Sequence, residues 1–222
     1  MPGKKFVLPF IRPSLRTVQN LLLVFPQRGE GIDIASLGVD GPLPNLRILC
    51  IESEDRMTAW IPLLPSLFPN LEELTLRMDE YDPPAYNPDY IASFAQLPNL
   101  TSLSTNLELD ASAHDRPLGR RRSLAFFARS LGRRIAPTHE LIHRCKALRR
   151  VDWYITDDTA AFCHQFGAVD IGTAGGKERK FVIGWNWWMS DGFESTRRFP
   201  LPEGIVNLDP KTNAKYANHY GP

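Results

Sequence analysis

One short segment of the chain has the residue types and spacing of a zinc hydrolase site. Residues His139-Glu140-Leu141-Ile142-His143 form a literal HExxH. On a helix, two histidines four positions apart lie on one face and can bind the same zinc ion, while the glutamate can act as general base toward a metal-bound water. One hypothesis is therefore a zinc-dependent hydrolase with His139 and His143 as metal ligands.

A hydrolytic zinc site also needs a third protein ligand, and the sequence next to the motif does not supply one. Lys146 and Arg149 stand where the longer metzincin motif has a glycine and a histidine. A distant carboxylate such as Asp157, Asp158 or Asp170 would have to serve. The hydrolase therefore remains the alternative hypothesis.

The same segment also fits a structural role, which we favour. Residues 138–144 are predicted to form a short helix before the apolar stretch Cys145 to Trp153, with Leu141 and Ile142 facing the core. This interpretation needs no further ligand. We therefore predict that the chain is not an enzyme and has no cofactor.

A second candidate is the arginine-rich segment 116–135, which is predicted to be an inserted basic amphipathic helix. It contains seven arginines, and apolar residues recur at helical spacing. Such a helix could bind an acidic partner or nucleic acid. We favour the simpler alternative, in which the arginines contact acidic residues of the same fold, so nucleic acid is not the expected partner. The apolar positions are Leu124, Phe127, Ala128, Leu131 and Ile135.

Glycines near residue 175 only superficially resemble a phosphate-binding loop. Ile171 stands where that motif requires its first glycine, and Glu178 where it requires serine or threonine. The cluster is predicted instead to be the turn of a β-hairpin between residues 166–171 and 181–189. Alternating residues of the second strand form an apolar stripe, which could stack on sugars or bases but more simply caps the fold. They are Phe181, Ile183, Trp185, Trp187 and Met189.

Composition indicates a folded, non-membrane protein. Of the 222 residues, 43% are apolar and 23% charged, so a sizeable core is possible. The longest apolar run, residues 21–25, is far shorter than the roughly 20 residues that cross a bilayer. Three cysteines suit a reducing compartment better than a disulfide framework. We expect a cytoplasmic or nuclear protein.

The formal net charge of +1 conceals two opposite blocks. Residues 51–110 contain eleven acidic and two basic side chains, a net charge of −9. Residues 111–150 contain eleven basic and two acidic side chains, a net charge of +9. The blocks are expected to face each other within the fold, and a contact surface for a charged partner is the alternative.

The strongest signal is a repeat. Three junctions are nearly identical: Leu43-Pro44-Asn45-Leu46, Phe68-Pro69-Asn70-Leu71 and Leu97-Pro98-Asn99-Leu100. After the leucine that ends each of the first two junctions, apolar residues recur three and five positions later. After the third junction, only the residue three positions later is apolar, because the fifth is Thr105. Weaker copies begin at residues 15 and 145. Since residues two apart on a strand share a face, each copy predicts a strand whose alternate side chains enter one core.

Predicted helices connect these strands. Residues 58–68 form an irregular one, and Asn87 and Pro88 are expected to begin a regular one that carries Ile91 and Phe94 on its apolar face. The copies are separated by 25, 29 and 48 residues, counted from Leu46, and the last interval is interpreted as two units. Strand and helix in alternation predict an α/β fold, a short irregular leucine-rich-repeat solenoid with parallel strands.

At these residues the chain resembles the leucine-rich-repeat region of fungal F-box proteins. The match covers residues 43–154 and includes Cys145-Lys146-Ala147-Leu148-Arg149-Arg150-Val151-Asp152-Trp153. The resemblance implies a protein–protein interaction module that captures the substrate of a ubiquitin ligase. Residues 1–42 have no recognisable F-box helices, so binding of the cullin-ligase adaptor is not expected, and the protein partner is not identified.

The predicted organisation has four parts. Residues 1–42 are an N-terminal cap or diverged repeat, 43–157 the repeat array with the insert at 116–135, 158–192 a capping hairpin, and 193–222 an irregular tail. If the strands line a concave surface, the outward residues are the candidate partner contacts. They are Glu52, Glu73, Thr75, Arg77, Ser102, Ser104, Arg150, Asp152 and Tyr154, with Ile48 and Cys50 beside them.

Overall fold

The computed structural model describes most of the chain between residues 15 and 190. The described residues are 15–25, 34–38, 41–53, 58–78, 85–109, 124–157, 160–173 and 176–190. Within these ranges the side chains of residues 25, 36, 124–131, 155–162, 169–173 and 176–190 are not described. The predicted tail at 193–222 lies outside these ranges.

The strands of the described residues form one seven-stranded sheet whose spatial order follows the order in the chain. The first five strands pair in parallel, and the last two are antiparallel to their neighbours. The chain is therefore α/β, with a mostly parallel sheet. The strands are β1 (Asn20–Phe25), β2 (Ile48–Ser53), β3 (Glu73–Arg77), β4 (Ser102–Thr105), β5 (Arg150–Asp157), β6 (Ala160–Thr173) and β7 (Gly176–Ser190).

Helical segments connect the parallel strands. They are 3₁₀ helices at Ile34–Gly38 and Ile61–Leu63, and α-helices α1 (Leu64–Leu67), α2 (Tyr90–Phe94) and α3 (Leu124–Arg144). The helices predicted at 58–68 and after Asn87 are both present but short. The Asn87 side chain accepts a hydrogen bond from the Asp89 backbone N–H at 2.9 Å, which forms a turn, so α2 begins only at Tyr90.

The same backbone turn precedes every parallel strand. In the three Pro-Asn-Leu junctions, the N–H of Leu46, Leu71 and Leu100 donates to the carbonyl three residues earlier, at 3.1 to 3.3 Å. The turn recurs at Val18 and Leu148, with distances of 3.2 and 3.0 Å, although the sequence there lacks Pro-Asn. The two weak copies of the repeat thus have the same local structure as the three clear ones.

Consecutive units are joined by a recurring hydrogen-bond pattern. The carbonyl of the residue just before each of the strands β1 to β4 accepts hydrogen bonds from two successive N–H groups of the next unit. These carbonyls are those of Gln19, Arg47, Glu72 and Thr101, with donor–acceptor distances of 2.7 to 3.1 Å. The junction asparagines add a side-chain link, because the amides of Asn45 and Asn70 donate to the Arg16 and Pro44 carbonyls at 2.6 and 2.9 Å. Asn99 donates to the Asn70 side chain at 3.3 Å.

The prediction that alternate apolar residues share one core is confirmed. In the parallel register, Leu49 pairs with Leu74, Leu74 with Leu103, and Leu103 with Val151, and all four side chains are buried. A second buried row, two residues further along each strand, contains Leu23, Ile51, Leu76, Thr105 and Trp153. The leucine that ends each junction enters the same core before the strand begins. Burial of this apolar surface is the main stabilising contribution.

Two sequence-based predictions about the segment before β5 are wrong. The strand of a further unit predicted in the 48-residue interval does not lie between β4 and β5 in the sheet, because these two strands pair directly with each other. The predicted helices at 116–135 and 138–144 are, within the described residues, one helix, α3, which continues through Pro137. A proline in a helix removes one backbone donor, and Pro137 lies between the two predicted helices. Burial of Ile135, Leu141 and Ile142 in the core offsets that loss.

The predicted C-terminal hairpin is confirmed. β6 and β7 pair antiparallel, and Gly172 pairs with Lys177 next to the turn, so the strands are longer than the sequence pattern indicated. A register shift between His164 and Phe166 interrupts the two-residue alternation assumed for the aromatic stripe of β7. The side chains of that stripe lie outside those described. Among the described helices, none combines the length and apolarity required to traverse a bilayer.

Candidate functional site

The predicted contact residues lie on the sheet face opposite the leucine core, which we call the open face. Its parallel register aligns Ile48, Glu73, Ser102 and Arg150 in one row. A second row contains Cys50, Thr75, Ser104 and Asp152. Glu52 is paired with Arg77 at the carboxyl end of the strands. The open face also includes Leu22, Val24 and Tyr154. Strand alternation thus brings residues distant in sequence onto one surface.

Asp152 is the centre of a buried polar cluster on this face. Its carboxylate has no solvent exposure and accepts hydrogen bonds from the Arg150 guanidinium at 2.7 to 3.0 Å. The Ser104 hydroxyl and the Gln165 amide each donate to it at 3.1 Å. The hydrogen bonds from Arg150 also raise the pKa of that guanidinium. A buried carboxylate is tolerated because several donors replace its lost hydration.

This burial corrects part of the predicted surface. Ser104 and Asp152 are buried, so they hold the open face together and are not exposed contact residues. The physical reason is that the side chains of Arg150 and Gln165 cover Asp152. Gln165 belongs to β6, which pairs antiparallel with β5. A single strand's alternation cannot reveal such covering by a later strand. The remaining seven predicted residues are exposed or half-buried.

Arg77 is central among the exposed groups of the open face. Its guanidinium forms an ion pair with the Glu52 carboxylate at 2.9 Å and lies 5.6 Å from the centre of the Tyr154 ring. Burial, together with Cys163 and Asp152, raises the pKa of Tyr154, so its hydroxyl stays neutral. Arginine and tyrosine are residue types that dominate protein–protein binding energy. This triad of Glu52, Arg77 and Tyr154 is a preformed surface element that joins β2, β3 and β5.

The β1 end of the open face is apolar. Leu22 and Val24 are 59% and 55% exposed, and Ile48 and Cys50 beside them are half-buried. Burial, and secondarily Glu52, raises the pKa of the Cys50 thiol, which favours the neutral form. Leu22 and Val24 were not among the predicted contacts. The weak copy with Leu21 and Leu23 inward could have revealed them, because the residues between point outward.

Cys163 is a further residue that the sequence did not single out. It pairs with Tyr154 in the antiparallel register and is buried. Burial, followed by the negative charge of Asp152, raises the pKa of its thiol. A buried neutral thiol is a poor nucleophile, so Cys163 has the character of a packing residue.

The HExxH motif lies near the end of α3, on the opposite side of the sheet from the open face. His139 and His143 are exposed, with parallel rings whose centres are 6.2 Å apart. Glu140 forms an ion pair with Arg144 at 3.2 Å, and Leu141 and Ile142 are buried as predicted. In the described part of the chain, no three histidine, cysteine, aspartate or glutamate side chains form a cluster that could hold a metal.

The described residues do not test the three aspartates that were considered as the third zinc ligand of the hydrolase hypothesis. Asp158 lies outside the described residues, and the side chains of Asp157 and Asp170 are not described. The hydrolase hypothesis therefore gains no support from the described residues.

The described arginines of the basic helix are not all solvated. Residues 116–123 lie outside the described ranges, and Arg133 is exposed, but Arg134 is buried. Burial lowers the pKa of Arg134 to about 10, while the carboxylate of Glu108 acts in the opposite direction. Glu108 belongs to the acidic block, so opposite charges of the two blocks act on each other at this point. That electrostatic interaction agrees with the simpler interpretation of the basic segment.

No protein-family model, curated protein or solved structure matches this chain.

Proposed function

We propose that this chain is a protein–protein interaction module built from leucine-rich-repeat units, whose open face binds a protein or peptide. The supporting observation is the recurrence of one backbone turn before all five parallel strands. Because every unit repeats this turn, alternate side chains of successive strands form a continuous surface. The resemblance to fungal F-box proteins further suggests recognition of a ubiquitin-ligase substrate.

The composition of the open face supports a protein partner. Exposed apolar residues at β1 adjoin the charged and aromatic triad of Glu52, Arg77 and Tyr154. A mixed surface of this kind, with arginine and tyrosine near its centre, is typical of protein interfaces. The polar cluster around Asp152 keeps Arg150 in one orientation, which lowers the entropy that the side chain would lose on binding.

The proposal extends to a cytoplasmic or nuclear location, because Cys50, Cys145 and Cys163 are not joined in disulfide bonds. The existence of a protein partner and the connection to a ubiquitin ligase are likewise parts of this proposal.

A paired-variant binding experiment tests the location of the surface. Proteins captured by the intact chain are identified, and the purified partner is titrated against Arg77→Ala, Tyr154→Ala and the control Arg144→Ala, which changes an exposed arginine on α3. We expect Arg77→Ala and Tyr154→Ala each to weaken binding at least ~10-fold, since a hot-spot side chain contributes about 1.4 kcal/mol or more. Arg144→Ala should bind like the unchanged chain. Equal affinities for all three variants would refute the open face as the binding surface.

The link to a ligase is tested separately with the purified adaptor of a cullin-type ligase. Residues 1–42 have no recognisable F-box helices, so we expect no direct binding. Direct binding would show that residues of this chain perform the docking role of an F-box. Neither result changes the interpretation of the open face.

A further inference from the structure

β1 is an edge strand of the sheet that the described residues form, and none of their other strands pairs with its outer side. The Ile48 N–H donates to the Gln19 carbonyl at 2.9 Å, which fixes the direction of the backbone groups in the parallel register with β2. The N–H and C=O groups of the odd-numbered residues of β1 therefore point toward β2. Those of the even-numbered residues, Asn20, Leu22 and Val24, point outward. Such a row of outward backbone groups is a template for another strand.

The sequence of this edge lacks the features that usually prevent pairing with another chain. Charged side chains, proline and β-bulges are the common protection of an edge strand. Residues 17–27 contain no charged side chain, residues 20–25 contain no proline, and the register with β2 is uninterrupted. Leu22 and Val24 are 59% and 55% exposed. The other edge strand, β7, by contrast has charged residues at all four positions 177–180. Of the two edges, that of β1 is therefore suited to accept a further strand.

We propose that the outer edge of β1 pairs antiparallel with β1 of a second copy of this chain, so that two sheets join into one. A two-fold axis at Leu22 places this residue opposite Leu22 of the second copy, and Val24 opposite Asn20. Antiparallel residues whose backbone groups face each other exchange both hydrogen bonds. In this register the outward N–H and C=O groups of all three residues therefore find partners.

The same register matches the side chains on both faces of the joined sheet. On the open face, the exposed Leu22 side chains of the two copies lie side by side and exclude water from each other. On the core face, the half-buried Leu21 of one copy lies opposite the buried Leu23 of the other, so the inward leucines continue from one core into the next. No like charges meet, because the strand is uncharged. This self-complementarity is the reason that the occupant is a second copy.

The inference is independent of the partner proposed for the open face. The triad of Glu52, Arg77 and Tyr154 lies on β2, β3 and β5, and a strand added at the outer edge of β1 does not cover it. A monomeric chain could still bind a partner through the triad, and a dimer could fail to do so. The two proposals therefore fail separately.

Sedimentation velocity of the full chain over a range of concentrations tests the proposal, with Leu22→Lys as the disrupting variant. Two like charges would then lie opposite each other at the two-fold axis. The matched control is Leu63→Lys, which changes another exposed leucine, 40% accessible, in the 3₁₀ helix Ile61–Leu63. We expect a concentration-dependent dimer for the unchanged chain and the control, and a dissociation constant raised at least ~10-fold in Leu22→Lys. Circular dichroism verifies that both variants keep the fold.

A cysteine cross-link determines the register. The background is Cys50→Ser, because Cys50 is the register partner of residue 22 within one chain, while Cys145 and Cys163 are buried. Hydrogen-bonded antiparallel neighbours have Cα atoms about 5.5 Å apart, which a disulfide can span. With oxidised glutathione as the oxidant, Leu22→Cys in this background should give a disulfide-linked dimer, and the control Leu63→Cys should not.

Three outcomes would overturn the proposal. The first is an unchanged chain that stays monomeric up to about 1 mM. The second is equal dimerisation of Leu22→Lys and the unchanged chain, which would place the contact elsewhere. The third is equal cross-linking of the two cysteine variants, which would mean that residue 22 does not lie at the two-fold axis.

Discussion

The units that end in β2, β3 and β4 and the unit that ends in β5 make the same backbone turn with different side-chain chemistry. In the first three, the junction asparagine links its unit to the one before, although Asn99 does so only through a 3.3 Å contact. In the fourth, Lys146 and Ala147 occupy the Pro-Asn positions, and no such amide exists. That unit instead has buried polar contacts at Trp153 and Asp152.

In these four units, the difference indicates that the turn does not depend on Pro-Asn and accompanies burial of the leucine that ends it. Leu46, Leu71, Leu100 and Leu148 are all fully buried, whatever residues precede them. Asparagine adds a local link at the surface, where its hydrogen bonds compete with water. At the β5 end, where the antiparallel hairpin joins, the buried side chains of Asp152 and Trp153 require hydrogen-bond partners. The two regions should therefore respond differently to substitution.

The largest effect is expected at Trp153. It is fully buried, donates its indole N–H to the Thr138 hydroxyl at 2.8 Å and contacts the Tyr86 ring edge-on at 5.5 Å. Trp153→Ala should lower the free energy of unfolding by about 4 kcal/mol, and Leu76→Ala, in the same core row, by about 3 kcal/mol. Urea denaturation measures both. Trp153→Phe, which keeps most of the volume, is the control and should cost about 1 to 2 kcal/mol. A cost for Trp153→Ala no greater than for Trp153→Phe would contradict the assigned core position.

A smaller loss is expected at Asp152. Asp152→Ala removes the acceptor of Arg150, Ser104 and Gln165. The Arg150 side chain is half exposed and can return to water, so the cost should be about 2 kcal/mol, below that of breaking a fully buried ion pair. The matched control is Thr75→Ala, in the same row of β3, which should change stability by less than about 0.5 kcal/mol. Equal effects of the two substitutions in urea denaturation would show that the buried cluster contributes no more than an ordinary surface position.

The smallest effects are expected at the junction asparagines. Asn70 donates to Pro44 and accepts from Asn99, whereas Asn99 makes only the longer contact. Asn70→Ala should destabilise by about 1 kcal/mol and Asn99→Ala by about half as much, since the net contribution of one hydrogen bond is about 0.5–1.5 kcal/mol. Thermal unfolding of both variants ranks them. The reverse order would mean that the hydrogen bond to Pro44 does not hold the units together.

The repeat was predictable because its signal is local and periodic. Leu49, Leu74 and Leu103 each follow a nearly identical junction, and a period of two in a strand assigns their face without knowledge of the partner strand. The copies that begin at Leu15 and Cys145 lack the Pro-Asn pair. The spacing of their leucine, valine and tryptophan residues was nevertheless sufficient to indicate strands. The segments 116–135 and 138–144 were interpreted as separate helices, whereas core packing on both sides of Pro137 maintains one helix.

The candidate surface was only partly predictable. Alternation assigned Arg77 and Tyr154 to the same face, but nothing in the sequence indicates that their side chains meet. Likewise, Leu22 and Val24 were overlooked because β1 carries the weakest copy of the repeat. Exposure depends on which later strand covers a residue, and such coverage is not encoded near that residue.

The order of the strands, the inward leucines and the hairpin follow from short-range patterns of apolar residues, turn formers and strand alternation. Three features arise instead from contacts between distant residues: the burial of Asp152 under Arg150 and Gln165, the continuity of α3 through Pro137, and the burial of Arg134 near Glu108. These three features have one physical reason: the loss of solvent from a group depends on every segment of the chain that packs around it. A pattern along one strand or helix does not contain that information.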